Sequence, residues 1–326
     1  MVRGSLVGLV LVLGACSNDS GSPPADGSTS ADDTGPGTSG SESTSSSEGG
    51  TATSTSESSG GADSTSGGPV ESGSFEILTY NVAGLPQGIS SSDPERYMPQ
   101  ISPLLDAFDL VVVQEDFWYH DTLVAEVTLP HQSAPMVMDP MEKGIGDGLN
   151  RFSQFPFEPV ERVAWYACNG TLDCSSDCLA KKGWSFARTT LGENTTVDVY
   201  NLHMEAGGCP EDLEIRRQSA LDLADAIAER SDGRAVIVAG DFNLRATDPE
   251  DVEPLMLIFE GAGLSDACLV IDCGDERIDK VLVRDGNRVA LEVQGWRIPP
   301  EFVDAEDGAP LSDHLPVAVE LGFGPA

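Results

Sequence analysis

Arg234-Ala-Val-Ile-Val-Ala-Gly-Asp-Phe-Asn243 decides how the chain is read. Ala235 to Ala239 run without interruption into Gly240, and Asp241 and Asn243 follow on either side of Phe242. The apolar run is a buried strand. In extended backbone, residues i and i+2 share a face, so Asp241 and Asn243 project together from the strand's mouth. Gly240, without a Cβ, lets the backbone approach something closely. The plainer alternative is a strand closed by an Asx turn. The rest of the chain chooses between them.

Other segments read the same way. Phe75–Asn81 and Asp109–Glu115 are strands, each ending in a polar side chain. Thr195–His203 alternates, with Val197, Val199 and Asn201 on one face and Asp198, Tyr200 and Leu202 on the other. Glu211–Arg230 is a helix, because Ala220, Leu223, Ala224 and Ile227 recur at helical spacing and would cover a sheet. Ile278–Arg284, Val289–Val293 and Leu315–Leu321 are further strands, with Asp285-Gly286 as a hairpin turn. The expected class is an α/β sandwich with helices outside the sheets. Strand after strand ends in a functional group: Asn81, Glu115, His203, Asp241 with Asn243, and lastly Asp313-His314. Ligand sites of α/β folds gather at strand ends.

The flanks bound the rest. The chain has 326 residues. It opens with Arg3, the short apolar run Leu6–Leu13 and Leu13-Gly14-Ala15-Cys16, which resembles a bacterial lipoprotein signal cut before a lipidated Cys16. That predicts a bacterial lipoprotein held by lipid at the outer membrane or cell surface, an anchored monomer rather than a spanning protein. Residues 17–74 hold no aromatic residue and a single Val, too little apolar surface to offset chain entropy, and are read as a solvated tether. Residues 75–326 then form one catalytic-size domain. The chain carries 54 acids and 18 bases; nine acids and one base precede residue 75, which leaves the domain 45 against 17, a net of −28. Nucleic-acid affinity comes largely from Lys and Arg on phosphates, and no basic run is present. A divalent cation would be attracted. Beyond Cys16 the cysteines are Cys168, Cys174, Cys178, Cys209, Cys268 and Cys273. Disulfides are expected, with Cys268 and Cys273 spaced for a small loop and the other four open to three pairings; a zinc cluster is the alternative.

Oxygen ligands such as Glu115 and the Asn81 amide suit magnesium, with manganese or calcium as alternatives. A histidine oriented by a carboxylate suits activation of water. His314 is the candidate base and Asp279 its orienter; Asp313 is left to the metal or to His203. His120 and His131 are read as surface or structural.

Thr79-Tyr-Asn-Val82, Val113-Gln-Glu115, Asn201-Leu-His203, Gly240-Asp-Phe-Asn243 and Ser312-Asp-His-Leu-Pro316, in this order, resemble the endonuclease/exonuclease/phosphatase superfamily across residues 75–326. The resemblance implies a DNase-I-like fold, a four-layer sandwich of two packed mixed β-sheets flanked by helices. It implies a metal-dependent phosphodiesterase in which Glu115 is the principal metal ligand and Asn81 a further one. Asp241 would orient water or bind a second metal, and Asn243 would contact phosphate. His203 would stabilise phosphate or protonate the leaving group, and His314, after Asp313, would be the base. Arg277-Ile-Asp279 resembles the strand whose aspartate orients that base, although Lys280 follows where an aromatic residue is commoner. Gly148–Pro156 and Cys178–Phe186 are similar to segments of the bacterial sphingomyelinase branch, which offers Lys182 as a phosphate contact, with a solvated turn lysine as the plain alternative; Trp296 and Phe302 are offered equally to lipid or to core and loop packing. A lipid head group is thus expected as substrate. An extracellular nuclease, an inositol-phosphate phosphatase and a non-catalytic binding module are the alternatives.

Overall fold

The computed structural model describes residues 68–137, 145–170 and 177–326. Cys16, the leader, the tether as far as residue 67 and Cys174 lie outside the described residues. The strands are β1 (Gly73–Asn81), β2 (Leu110–Gln114), β3 (His131–Gln132), β4 (Asn150–Ser153), β5 (Glu161–Ala164), β6 (Gly183–Gly192), β7 (Thr195–His203), β8 (Val236–Asp241), β9 (Ser265–Asp266), β10 (Asp279–Arg284), β11 (Val289–Arg297) and β12 (Val317–Pro325). The helices are α1 (Pro94–Ile101), α2 (His120–Leu123), α3 (Pro210–Arg230), α4 (Val252–Ala262) and α5 (Ala267–Ile271). Two six-stranded sheets result, ordered β11-β12-β1-β2-β4-β3 and β5-β6-β7-β8-β10-β9.

Strand periodicity builds the layers. Ile77, Val112, Val199, Ile237, Ala239, Val281 and Val319 point between the sheets and form the central core. The alternate residues of the same strands face outward. Leu78, Tyr80, Val111 and Val113 meet Met98 and Ile101 of α1. Tyr200, Leu202, Val236 and Val238 meet Leu223 and Ile227 of α3 and Leu255 and Ile258 of α4. The expected four layers are therefore present. Each buried Val, Ile or Leu contributes about 1.5–3 kcal/mol, more than the roughly 0.5–1.5 kcal/mol of one ladder hydrogen bond. The apolar layers, more than the ladder, decide where β8 lies.

Several local expectations change. Asp285-Gly286 is not a hairpin within one sheet: β10 and β11 belong to different sheets. The turn passes the chain from one to the other, closed by Gly286 N donating to Val289 O at 2.8 Å. The close approach at Gly240 is to the parallel neighbour β7, where a Cβ would collide with the Leu202 carbonyl oxygen. Cys168–Cys178 and Cys268–Cys273 are disulfides, and Cys209 is disulfide-bonded too, so the zinc alternative is set aside. Phe302 is buried against Tyr80, ring centroids 5.1 Å apart, and is core, not a lipid-facing side chain, while Trp296 is half-buried and packs on the central core. One polar bridge was not foreseen. Arg151 of β4 is fully buried and donates to the Val199 and Ser185 carbonyls of the opposite sheet at 3.3 and 3.2 Å. Burial without a carboxylate brings its pKa down to about 9.

The register places the functional strand ends together. β1 and β2 run parallel, with Asn81 beside Gln114. β7 and β8 run parallel, with His203 beside Asp241. β10 is antiparallel to β8, so its first residue, Asp279, also lies beside Asp241. The loop entering β12 brings Ser312, Asp313 and His314 to the same edge, because Ser312 Oγ donates to Asn81 O at 2.8 Å.

Candidate active site

Asp241 is the centre. It ends β8, is 1 % exposed, and its Oδ1 accepts from Asn243 N at 3.0 Å. That contact is the Asx turn, so the plain and the functional readings of the opening stretch hold together: the turn is what aims the carboxylate. Asn243 takes a left-handed φ of 48° and donates from Nδ2 to Met204 O at 3.1 Å. Around Asp241 Oδ2 stand Asn81 Nδ2 at 3.2 Å, His203 Nε2 at 3.3 Å and His314 Nε2 at 3.8 Å. Burial and the neighbouring Asp279 charge push the Asp241 carboxyl up to about 7, against the pull of His314 and Lys182.

The two histidines differ. Burial first, then the positive charges of Lys182 and His314, hold His203 well below its ordinary value, so its imidazole is neutral. Its Nδ1 is buried without a hydrogen-bond partner, while its carbonyl is fixed by Trp165 Nε1 at 2.7 Å. His314 Nδ1 donates to Asp279, 2.8 and 3.1 Å from the two oxygens. Burial works against the charged form, but the Asp279 hydrogen bond and the charges of Asp279, Asp241 and Asp313 outweigh it and carry the pKa to about 10. Asp279 is therefore beside His314, as its place in Arg277-Ile-Asp279 implied. Lys280 accounts for the departure from the aromatic pattern. It is buried in a separate ion cluster, 2.5 Å from Glu276 and 3.6 Å from Asp266.

Glu115 sits just past the end of β2 with φ at 58°, a conformation that costs a residue with a Cβ about 1–2 kcal/mol. Such strain persists where the surroundings over-determine it, commonly at a working site. Glu115 Oε1 accepts from Asn81 Nδ2 at 3.2 Å. Burial and Asp313 raise its carboxyl pKa, while Lys182, the Asn81 bond and His314 lower it. Lys182 is no solvated turn residue: it is buried, donates to Met204 O at 3.2 Å, and its charge acts on Glu115, Asp241 and His203. Gly183 follows because a Cβ there would collide with the Val163 carbonyl oxygen of β5. Asp313 departs most from expectation. It is exposed at the rim, bonded to the Ser91 hydroxyl and to Ser312 Oγ, and the acid beside His203 is Asp241 instead.

Among the described residues, the cations acting on Glu115 and Asp241 are Lys182 and a protonated His314, against the four carboxylates Glu115, Asp241, Asp279 and Asp313. That negative balance, with carboxylate oxygens in reach, fits a divalent metal ion; Asn81 turns Nδ2 to Glu115 and Asp241 and Oδ1 to Ala83 N, so its amide would rotate to offer oxygen. Ligand atoms of Asp241, Asp279 and His314 also lie within 4.8 Å of one another. There, however, both Asp279 oxygens already lie against His314 Nδ1, the geometry of a base and its orienter.

Sequence reasoning missed Asp116, Asn150 and the part played by His120. His120 is structural and half-buried: Nδ1 lies 2.6 Å from the buried Asp116, and that bond raises the imidazole pKa. The signal was the i, i+4 spacing of Asp116 and His120. His131 packs edge-on to Phe157 and is structural, as read.

Known proteins resemble the chain in sequence and in fold. The Endonuclease/Exonuclease/phosphatase family model matches residues 78–314. A Mycobacterium tuberculosis protein named Sphingomyelinase is 36 % identical over 273 residues, 77 % of this chain and 53 % of its own length. A Drosophila melanogaster protein named Putative neutral sphingomyelinase is 28 % identical over 280 residues, 76 % of this chain and 60 % of its own. The chain thus spans little more than half the length of the curated relatives it matches. Sphingomyelinase C from Streptomyces griseocarneus superposes with a TM-score of 0.57 at 20 % identity, covering 76 % of this chain and 99 % of that one. D. rerio TDP2 with a single-strand DNA product gives 0.57 at 15 % identity, over 77 % and 99 %. Both likenesses bear on the fold. With that fold, these strand-end residues and the match over residues 78–314, the chain belongs to the endonuclease/exonuclease/phosphatase family.

Proposed function

We propose that the protein is a metal-dependent phosphodiesterase of the sphingomyelinase type, releasing phosphocholine from a sphingomyelin-like lipid by a single attack of water. The observation that carries this reading is the pairing of Asp279–His314 with Asp241, which Asn81 links to Glu115, in a chain 36 % identical to a protein named Sphingomyelinase.

Glu115 and Asn81 would hold the ion, magnesium being the first choice for so oxygen-rich a set. When bound, a divalent ion supplies positive charge that grips a phosphate oxygen and offsets the acidic field keeping His314 protonated. His314 Nε2 then accepts the proton of the attacking water, and Asp279 holds the imidazolium that forms. Water oxygen bonds to phosphorus as the phosphorus–oxygen bond to the lipid breaks, and the departing lipid oxygen takes a proton from solvent to leave as the alcohol. Neutral His203 and the Asn243 amide, both beside Asp241, would be polar contacts for phosphate. Lys182 adds fixed positive charge beside Glu115 and Asp241.

Lipid attachment at Cys16, the tether and display at a membrane surface are part of the same proposal. An anchored enzyme and a lipid substrate agree, and the domain's net of −28 favours a zwitterionic head group over nucleic acid. The test is phosphocholine release from sphingomyelin beside plasmid cleavage, each with magnesium and with a chelator. Chelator-sensitive turnover of sphingomyelin alone is expected. DNA cleavage alone would replace the lipid reading with the nuclease one.

A further inference from the structure

Glu115 is held in its strained turn by a buried polar chain that neither metal nor substrate reading uses. The backbone is pinned at three points: Gly84 N donates to Glu115 O at 3.0 Å, Phe117 N to the same oxygen at 2.8 Å, and Asp116 N to Gly148 O at 3.1 Å. A Cβ at Gly148 would lie 3.0 Å from Glu115 Cα, so the two backbones are in contact there. The next carboxylate, Asp116, is 2 % exposed. Its Oδ2 accepts from His120 Nδ1 at 2.6 Å and from Asn150 Nδ2 at 2.7 Å, one from the start of α2 and one from β4. Its Oδ1 is buried without a partner. Asn150 Oδ1 in turn accepts from Arg162 Nη2 at 2.9 Å, and Arg162 Nη1 binds Asp147 at 2.7 Å. Arg162 lies on β5, in the other sheet. A chain of side chains therefore runs from the residue after Glu115 to the far sheet.

A buried carboxylate with one oxygen unsatisfied is costly unless the bonds it does make fix something. Here the bonds come from two elements and converge one residue from a left-handed turn. We propose that Asp116, held by His120 and Asn150, is a positioning residue that sets the Glu115 carboxylate for binding a divalent cation. The inference rests on Glu115 being a cation ligand, and it adds Asp116 and His120 to the determinants of cation affinity. His120, at the partly exposed end of the chain, is the accessible handle.

The test is calorimetric titration of the full chain with Mn2+, together with the thermal midpoint of the cation-free protein. Asp116→Ala and His120→Leu are each expected to weaken Mn2+ binding by about 10–100-fold, the usual effect of removing an outer partner of a metal site. His120→Asn keeps a donor at the Nδ1 position and should stay within a few-fold of the unmodified protein. Glu115→Gln is the control for the underlying reading, and loss of binding is expected. Unchanged affinity in Glu115→Gln overturns the ligand reading itself. With Glu115→Gln defective, unchanged affinity in Asp116→Ala and His120→Leu overturns the positioning role alone, as does a lower midpoint at normal affinity in His120→Leu.

Discussion

The end of β7 and the loop entering β12 each deliver a histidine beside Asp241, and the two are opposites. His203 is enclosed by protein, has no acid on Nδ1, and lies within the field of two cations; it is neutral. His314 is reached by solvent, has Asp279 on Nδ1, and answers to three carboxylates; it is a cation until that acid field is offset. The same side chain, a few ångströms from the same carboxylate, receives a different proton count because one site is dominated by desolvation and the other by a partnered charge. One histidine is thereby suited to polar contact and the other to proton exchange.

The sharpest way to break this comparison is to remove the exchanging member. His314→Ala should lower kcat by about 10²–10⁴-fold with an unaltered circular dichroism spectrum; near-normal turnover would move the base elsewhere. Next in size is Asp279→Asn, which keeps the shape and removes the charge. A loss of about 10²-fold or more is expected, along with a fall of the His314 pKa from about 10 toward 6.5, read by NMR titration. A His314 value left near 10 would assign the shift to some other acid. His203→Gln should cost less, roughly 10-fold to 10²-fold, since a neutral amide replaces a neutral imidazole. A loss equal to that of His314→Ala would erase the distinction between the two.

The smallest expected effect is on stability. Asp241 binds its proton more tightly folded than unfolded, about 7 against 3.8, so its contribution is lost as pH rises across that interval. His314, about 10 against 6.5, contributes fully below pH 6.5 and loses that contribution as pH climbs toward 10. Both signs agree. The chelated protein should melt progressively lower from pH 5 to pH 9, by roughly 2–4 °C for each kcal/mol lost in a domain of this size. Magnesium should flatten the slope. A midpoint rising with pH would mean that the acids are already compensated without the ion.

Much of this was legible beforehand because strand periodicity and terminal polar residues are local. Ala235–Ala239 with Asp241 and Asn243, Phe75–Asn81, Asp109–Glu115 and Thr195–His203 each needed only the alternation of the extended chain. The α3 stripe needed only helical spacing. The doubt over Asp279 came from Lys280 next to it, and alternation resolves it: adjacent residues of β10 face opposite ways, one to His314 and one to Glu276 and Asp266. Asp285-Gly286 misled because a turn signal reports a change of direction and not which sheet receives the chain.

What the amino-acid sequence determined by itself was the inventory: which strands exist, which end in chemically able side chains, and in what order. Only the tertiary structure decided the partners. Asp241 rather than Asp313 stands by His203, because β7 and β8 are in parallel register while Asp313 is turned toward Ser91. Phe302 is core, Lys182 is buried, and Asp116 finds His120 and Asn150. Proton occupancy follows from those partners, since desolvation and nearby charge depend on distances in space that separation along the chain does not encode.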